Sequence, residues 1–150
     1  MPQSLGKLYT HLVFSTKHQQ DMINTDIENE LYPYMFHIFR EFDSPCLAMN
    51  GAPNHLHCLF LLSRKEPLCK VVEYVKKRSS KWIKSKGEKY KDFYWQNGYG
   101  AFSISGSHVS TVKMYIAKQK QHHAKNSFQE EYIKLLKRYE IEYDERYIWE

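Results

Sequence analysis

The stretch Asn54-His55-Leu56-His57-Cys58-Leu59-Phe60-Leu61-Leu62 constrains the fold of this chain more than any other. It is short, apolar and rich in side chains that suit a pleated surface, so it reads as a strand. Alternation along a strand points His55 and His57 to one face and Leu56 and Cys58 to the other. Upstream, Cys46-Leu47-Ala48-Met49-Asn50 leads into the turn-forming Gly51-Ala52-Pro53-Asn54, which makes the histidine run the second arm of a hairpin. Two imidazoles on one face are spaced to grip one ion. The same pair also occurs in proteins simply as two half-exposed strand histidines.

Leu8 to Thr16 is β-branched and aromatic and predicts a first strand, in which His11 reads as a packed or rim residue rather than a ligand. Thr25 suits the cap of a helix carrying Ile27, Leu31, Tyr34, Met35, Ile38 and Phe42 at helical spacing, with Pro33 predicting a kink or a start near Glu30. Pro67 opens a second helix that turns Leu68, Val71, Val72, Val75, Trp82 and Ile83 inward and ends before Gly87. Ala101-Phe102-Ser103-Ile104 is the last alternating strand. The order β-α-β-β-α-β predicts an α+β, ferredoxin-like fold: a four-stranded antiparallel sheet with two helices on one face. Ser107 then suits the cap of a helix from His108 to about Lys125, and a final helix near Phe128 to Tyr139 precedes an aromatic tail.

A chain of 150 residues with 42% apolar content predicts one domain, residues 1–150. It has no 18-residue apolar run and no secretory signal pattern, so a cytoplasmic protein is expected. Cys46, Cys58 and Cys69 are odd in number and lack zinc-knuckle spacing, which fits reduced thiols. Charge is unevenly placed. Residues 51–125 carry fifteen Lys and Arg against four acids, while residues 1–50 carry three against six and residues 126–150 four against seven. A middle segment of +11 between flanks of −3 suits a polyanion such as nucleic acid. Lys76, Lys77, Arg78, Lys81 and Lys84 crowd the outer sides of the second helix and are the expected DNA-phosphate contacts.

At 100° per residue, His108, Tyr115, Gln119 and His122 share one face of the helix after Ser107, beside the buried stripe of Val109, Val112 and Ile116. Two neutral imidazoles, His55 and His57, with the amide oxygen of Gln119 make a three-ligand set that leaves room for a phosphate oxygen and water. Tyr115, four residues from the amide, is the candidate nucleophile. Its ordinary pKa of about 10 calls for a nearby cation to favour the phenolate. Phosphodiester cleavage is the chemistry such a set serves.

With these residues, the chain resembles the short single-tyrosine HUH transposases of the simplest bacterial insertion sequences. The resemblance rests on His55-Leu56-His57, on Tyr115 with Gln119, and on His11-Leu12-Val13-Phe14-Ser15-Thr16-Lys17. It extends to Trp95-Gln96-Asn97-Gly98-Tyr99-Gly100-Ala101-Phe102-Ser103 and to the closing Glu142 to Trp149. Asn54 stands where the common form has Asp. The resemblance implies a DNA strand transferase acting on single-stranded DNA beside hairpins through a 5′-phosphotyrosine intermediate. It further implies a homodimer using Mg²⁺ or Mn²⁺, with no nucleotide cofactor. Two other readings remain at this level: a domesticated HUH nickase of chromosomal palindromes, and a non-catalytic ferredoxin-like module whose sheet aromatics stack bases.

Overall fold

In the computed structural model, which describes residues 2–150, the hairpin organises the sheet. β2 (Cys46–Ala52) and β3 (His55–Leu62) pair antiparallel, with Gly51 opposite Leu56 and Ala52 opposite His55. Pairing therefore runs two residues beyond the Asn50 expected from sequence and leaves a tight turn at Pro53-Asn54. Gly51 permits this, because a Cβ there would lie 2.1 Å from the His55 carbonyl oxygen. β1 (Leu8–Ser15) lies between β3 and β4 (Gly100–Ile104), giving the antiparallel order β2-β3-β1-β4 of the ferredoxin-like arrangement.

α1 (Thr25–Glu41) and α2 (Leu68–Lys84) pack on one face of the sheet. Their core joins Leu31, Met35, Ile38, Val71 and Val75 to Leu12, Phe14, Leu56, Cys58 and Phe60. α1 begins at Thr25, ahead of the Glu30 start that Pro33 suggested, and its cap is Asn24, whose side chain accepts from the Ile27 amide at 2.8 Å. Pro33 is tolerated because it sits on the solvent side, and the Asn29 carbonyl it leaves without a helical donor is also on an exposed residue.

The opposite face carries Val13, His55, His57, Leu59, Phe102 and Ile104, and three short helices cover it. These are α3 (Val109–Ala117), α4 (Gln119–Lys125) and α5 (Phe128–Arg138). The single helix expected from His108 to Lys125 is in fact two, broken at Lys118 and preceded by a 3-10 turn over Gly106–His108. Ser107 does not cap it. Its hydroxyl lies against Ser105 and His108 instead. Among the described residues no helix is long and apolar enough to cross a membrane.

Candidate functional site

β3 presents His55 and His57 to the second face, where burial leaves them 1% and 0% exposed. The α3–α4 junction is latched above them. Lys120 donates to the Gly51 carbonyl at 2.6 Å and to Asn50 Oδ1 at 2.9 Å, and Asn50 Nδ2 donates to the Ala117 carbonyl at 3.2 Å. These bonds fix the start of α4, so that Gln119, fully buried, reaches the histidines: its Oε1 lies 3.1 Å from His55 Nε2.

Glu131, from the first turn of α5, completes the cluster, a role that its sequence context does not reveal. Its Oε1 is 2.9 Å from His57 Nε2 and 3.5 Å from His55 Nε2. Its Oε2 accepts from Gln119 Nε2 at 2.9 Å and from the Tyr115 hydroxyl. One carboxylate thus touches both histidines, the amide and the tyrosine. In sequence Glu131 looks like ordinary acidic charge at a helix start, next to the Ser127 cap. The only sequence signal was its spacing from that cap, and it pointed to helix formation.

The hydrogen-bond chemistry of the set fits a cation. Asn54 Oδ1 accepts from His55 Nδ1 at 2.8 Å, which leaves the lone pair on His55 Nε2. Gln119 turns its NH₂ to Glu131 and its oxygen to that lone pair. Nitrogen, amide oxygen and carboxylate oxygen then face a common point, an arrangement neutral partners do not satisfy and a divalent ion does. The donor atoms of His55, His57 and Glu131 all lie within 4.8 Å of one another. Nitrogen and oxygen donors with an amide suit a borderline or hard divalent ion.

Around this set the second layer is built from sequence neighbours on β1. His11, 3% exposed, has Nε2 2.8 Å from His57 Nδ1, the contact that orients a ligating imidazole. Burial, then the adjacent His57, lowers the His11 pKa to about 3, and burial likewise lowers that of His57, so both rings are neutral. Burial alone would raise the Glu131 carboxyl, but the close imidazoles of His55 and His57 and the hydrogen bond from Tyr115 outweigh it and hold the group well below the usual carboxylate range. Burial and the bond to Glu131 push the Tyr115 phenol up. Without a cation the proton stays on the tyrosine.

Of the four residues expected on one helix face, Tyr115 and Gln119 meet the histidines, and the His122 ring packs 4.9 Å from Tyr115. His108 does not: it lies before α3, with Nδ1 2.7 Å from Ser105 Oγ. The basic side chains of α2 lie across the sheet from this cluster and differ among themselves. Lys77 and Lys81 are exposed, Arg78 pairs with Glu41, and Lys84 lies 3.7 Å over the Tyr94 ring. Lys76 is turned inward, donating to the carbonyls of Gln96 and Gly98 at 2.6 and 2.7 Å.

The chain resembles a solved transposase-like protein from Deinococcus radiodurans at 19% identity, over 79% of this chain and 98% of the other, with a TM-score of 0.62. It also resembles a REP-associated tyrosine transposase solved with a REP hairpin, at 13% identity over 85% and 74% of the two chains, with a TM-score of 0.58. At these identities the likeness speaks to the fold. No curated protein matches the chain. The model of the IS200-like transposase family matches residues 4–119, a span that contains His55, His57 and Tyr115 and ends on Gln119. The chain belongs to the IS200-like transposase family.

Proposed function

We propose that this transposase cuts and rejoins single-stranded DNA beside hairpins, with Tyr115 as nucleophile and His55, His57 and Gln119 as ligands of Mg²⁺ or Mn²⁺, joined by Glu131. The observation that carries the reading is the shared carboxylate: Glu131 bonds the Tyr115 hydroxyl with one oxygen and approaches both imidazoles with the other. A nucleophile and a ligand set meet in one chain and within one cluster. The hairpin substrate is supported by the REP hairpin held by the similar transposase.

In this reading Glu131 and the His122 ring hold Tyr115 beside the ligand set. Tyr115 Oη forms a bond to phosphorus as the P–O3′ bond breaks. Its proton leaves along the hydrogen bond to Glu131 and passes on to water, and the departing 3′ oxygen takes a proton from water in return, so that no net proton is gained or lost. The DNA 5′ phosphate stays on the tyrosine until a 3′ hydroxyl attacks it and the P–Oη bond breaks in turn. A bound cation would supply charge to favour the phenolate and to draw electrons from the phosphate. Each step exchanges one phosphoester for another, so no nucleotide cofactor is required. One tyrosine per chain makes a homodimer the unit that handles two DNA ends. Lys77 and Lys81, exposed on α2, provide a basic surface for the duplex part of the hairpin with Arg78 and Lys84 beside them, whereas the inward-turned Lys76 is not part of it.

The test is a labelled hairpin oligonucleotide with a single-stranded flank, incubated with Mg²⁺ or Mn²⁺ and run on a denaturing gel. Wild type forms a covalent adduct. Tyr115→Phe keeps the aromatic body, so it binds the hairpin as wild type does and forms no adduct. An adduct that persists in the Phe variant overturns the assignment.

A further inference from the structure

A cavity of about 450 Å³ opens beside Tyr115, between α3, α4 and the outer face of α5. Glu131 stands at its inner end. One and two helical turns further along α5, Lys134 and Arg138 line the same cavity, since residues three and seven apart return to one face. Both cations are exposed, and among the described residues neither has a carboxylate within ion-pair distance. A cation in the last turn of a helix, as Arg138 is, has an ordinary explanation in the helix dipole. That explanation does not reach Lys134, nor the cavity both residues face.

The remaining walls divide into apolar and polar parts. Val112, Leu135 and Tyr139 supply flat, apolar surface against which a sugar and base can rest. His123 lines the cavity too, and its Nδ1 is buried without a hydrogen-bond partner. Unpaired cations and an aromatic wall next to the nucleophile describe a nucleotide seat. The volume is within the usual range for a small-molecule site.

We infer that this cavity takes the nucleotide adjoining the cleaved bond, with Lys134 and Arg138 holding its phosphate and so aligning the strand for Tyr115. The inference rests on the proposed cleavage reaction and adds residues beyond the span shared with the family, which ends at Gln119. Lys134 and Arg138 are positioning residues: they act on the strand, away from the phosphorus attacked.

The experiment crosses protein charge with DNA charge. Lys134→Gln and Arg138→Gln are compared with wild type on oligonucleotides in which the phosphate on either side of the cleaved bond is replaced, one at a time, by an uncharged methylphosphonate. On natural DNA each variant raises KM for adduct formation roughly tenfold, the scale of one charge-assisted contact. Each also shallows the salt dependence of single-strand binding, read by fluorescence anisotropy, by about one counterion. Arg138→Lys keeps most of the affinity. On the oligonucleotide lacking the contacted charge, Arg138→Gln costs nothing further. Equal losses on charged and uncharged DNA, or no loss on either, overturn the nucleotide seat. Failure of wild type to form any adduct, with anisotropy intact, overturns the cleavage reading instead.

Discussion

Lys76 shows why counting cations along a helix is a poor guide to where they point. It sits among basic residues on α2, yet its ammonium lies 5.2 Å over the Phe14 ring and bonds the carbonyls that shape the Gln96–Gly98 loop. Burial lowers its pKa to about 8, below the 10.5 of a free lysine. Between those values the unfolded chain binds the extra proton, so the contribution of Lys76 to stability rises as pH rises from 8 to 10.5 and is lost as pH falls through 8. Denaturant unfolding of wild type and Lys76→Met across that window should therefore give profiles that diverge in favour of wild type at the alkaline end. Parallel profiles would show that the loop carbonyls hold the ammonium as water does. At this scale His55, His57, Tyr115 and Gln119 were legible because strand and helix periods place them; Glu131 was not, because an acid near a helix start is explained locally and its contacts are set by tertiary packing.

α5 carries Glu131 to the histidines, and its own start decides how firmly. Ser127 caps it by accepting from the Glu130 amide at 3.1 Å. Ser127→Ala should cost about 1 kcal/mol, lowering Tm by roughly 2–4 °C for a chain of this size, and should weaken the stabilisation given by Mn²⁺ in the same melting experiment. A Tm and Mn²⁺ response equal to wild type would mean that packing of Phe128 and Tyr132 alone sets the helix. The strand order, the two long helices and the hairpin were readable from apolar periods. Helix ends were less so: Asn24 rather than Thr25 caps α1, Ser107 caps nothing, and the break at Lys118 leaves no mark in a run of helix-forming residues. Such ends depend on which side chain the fold brings within reach of a free amide.

As a whole the molecule is a sheet between two helical layers, and the histidines face the second layer rather than open solvent. The second face of the sheet is closed by α3, α4 and α5, and the approach to Tyr115 is the cavity between them. In the proposed reaction this cavity takes one nucleotide of a single strand, so a helix with its bases paired is not the substrate. Reaching the phosphorus inside DNA that is still paired would therefore require local melting, at a cost of a few kcal/mol for each unstacked step. The rate at a given position should then follow how readily that stretch breathes. A fully paired oligonucleotide should resist cutting, a bubble of mismatches at the cleavage position should restore it, and A·T-rich flanks should be cut faster than G·C-rich ones, as timed adduct formation would show. Where an element of this kind can move would thus be governed by when its DNA is open, as much as by which bases the protein reads.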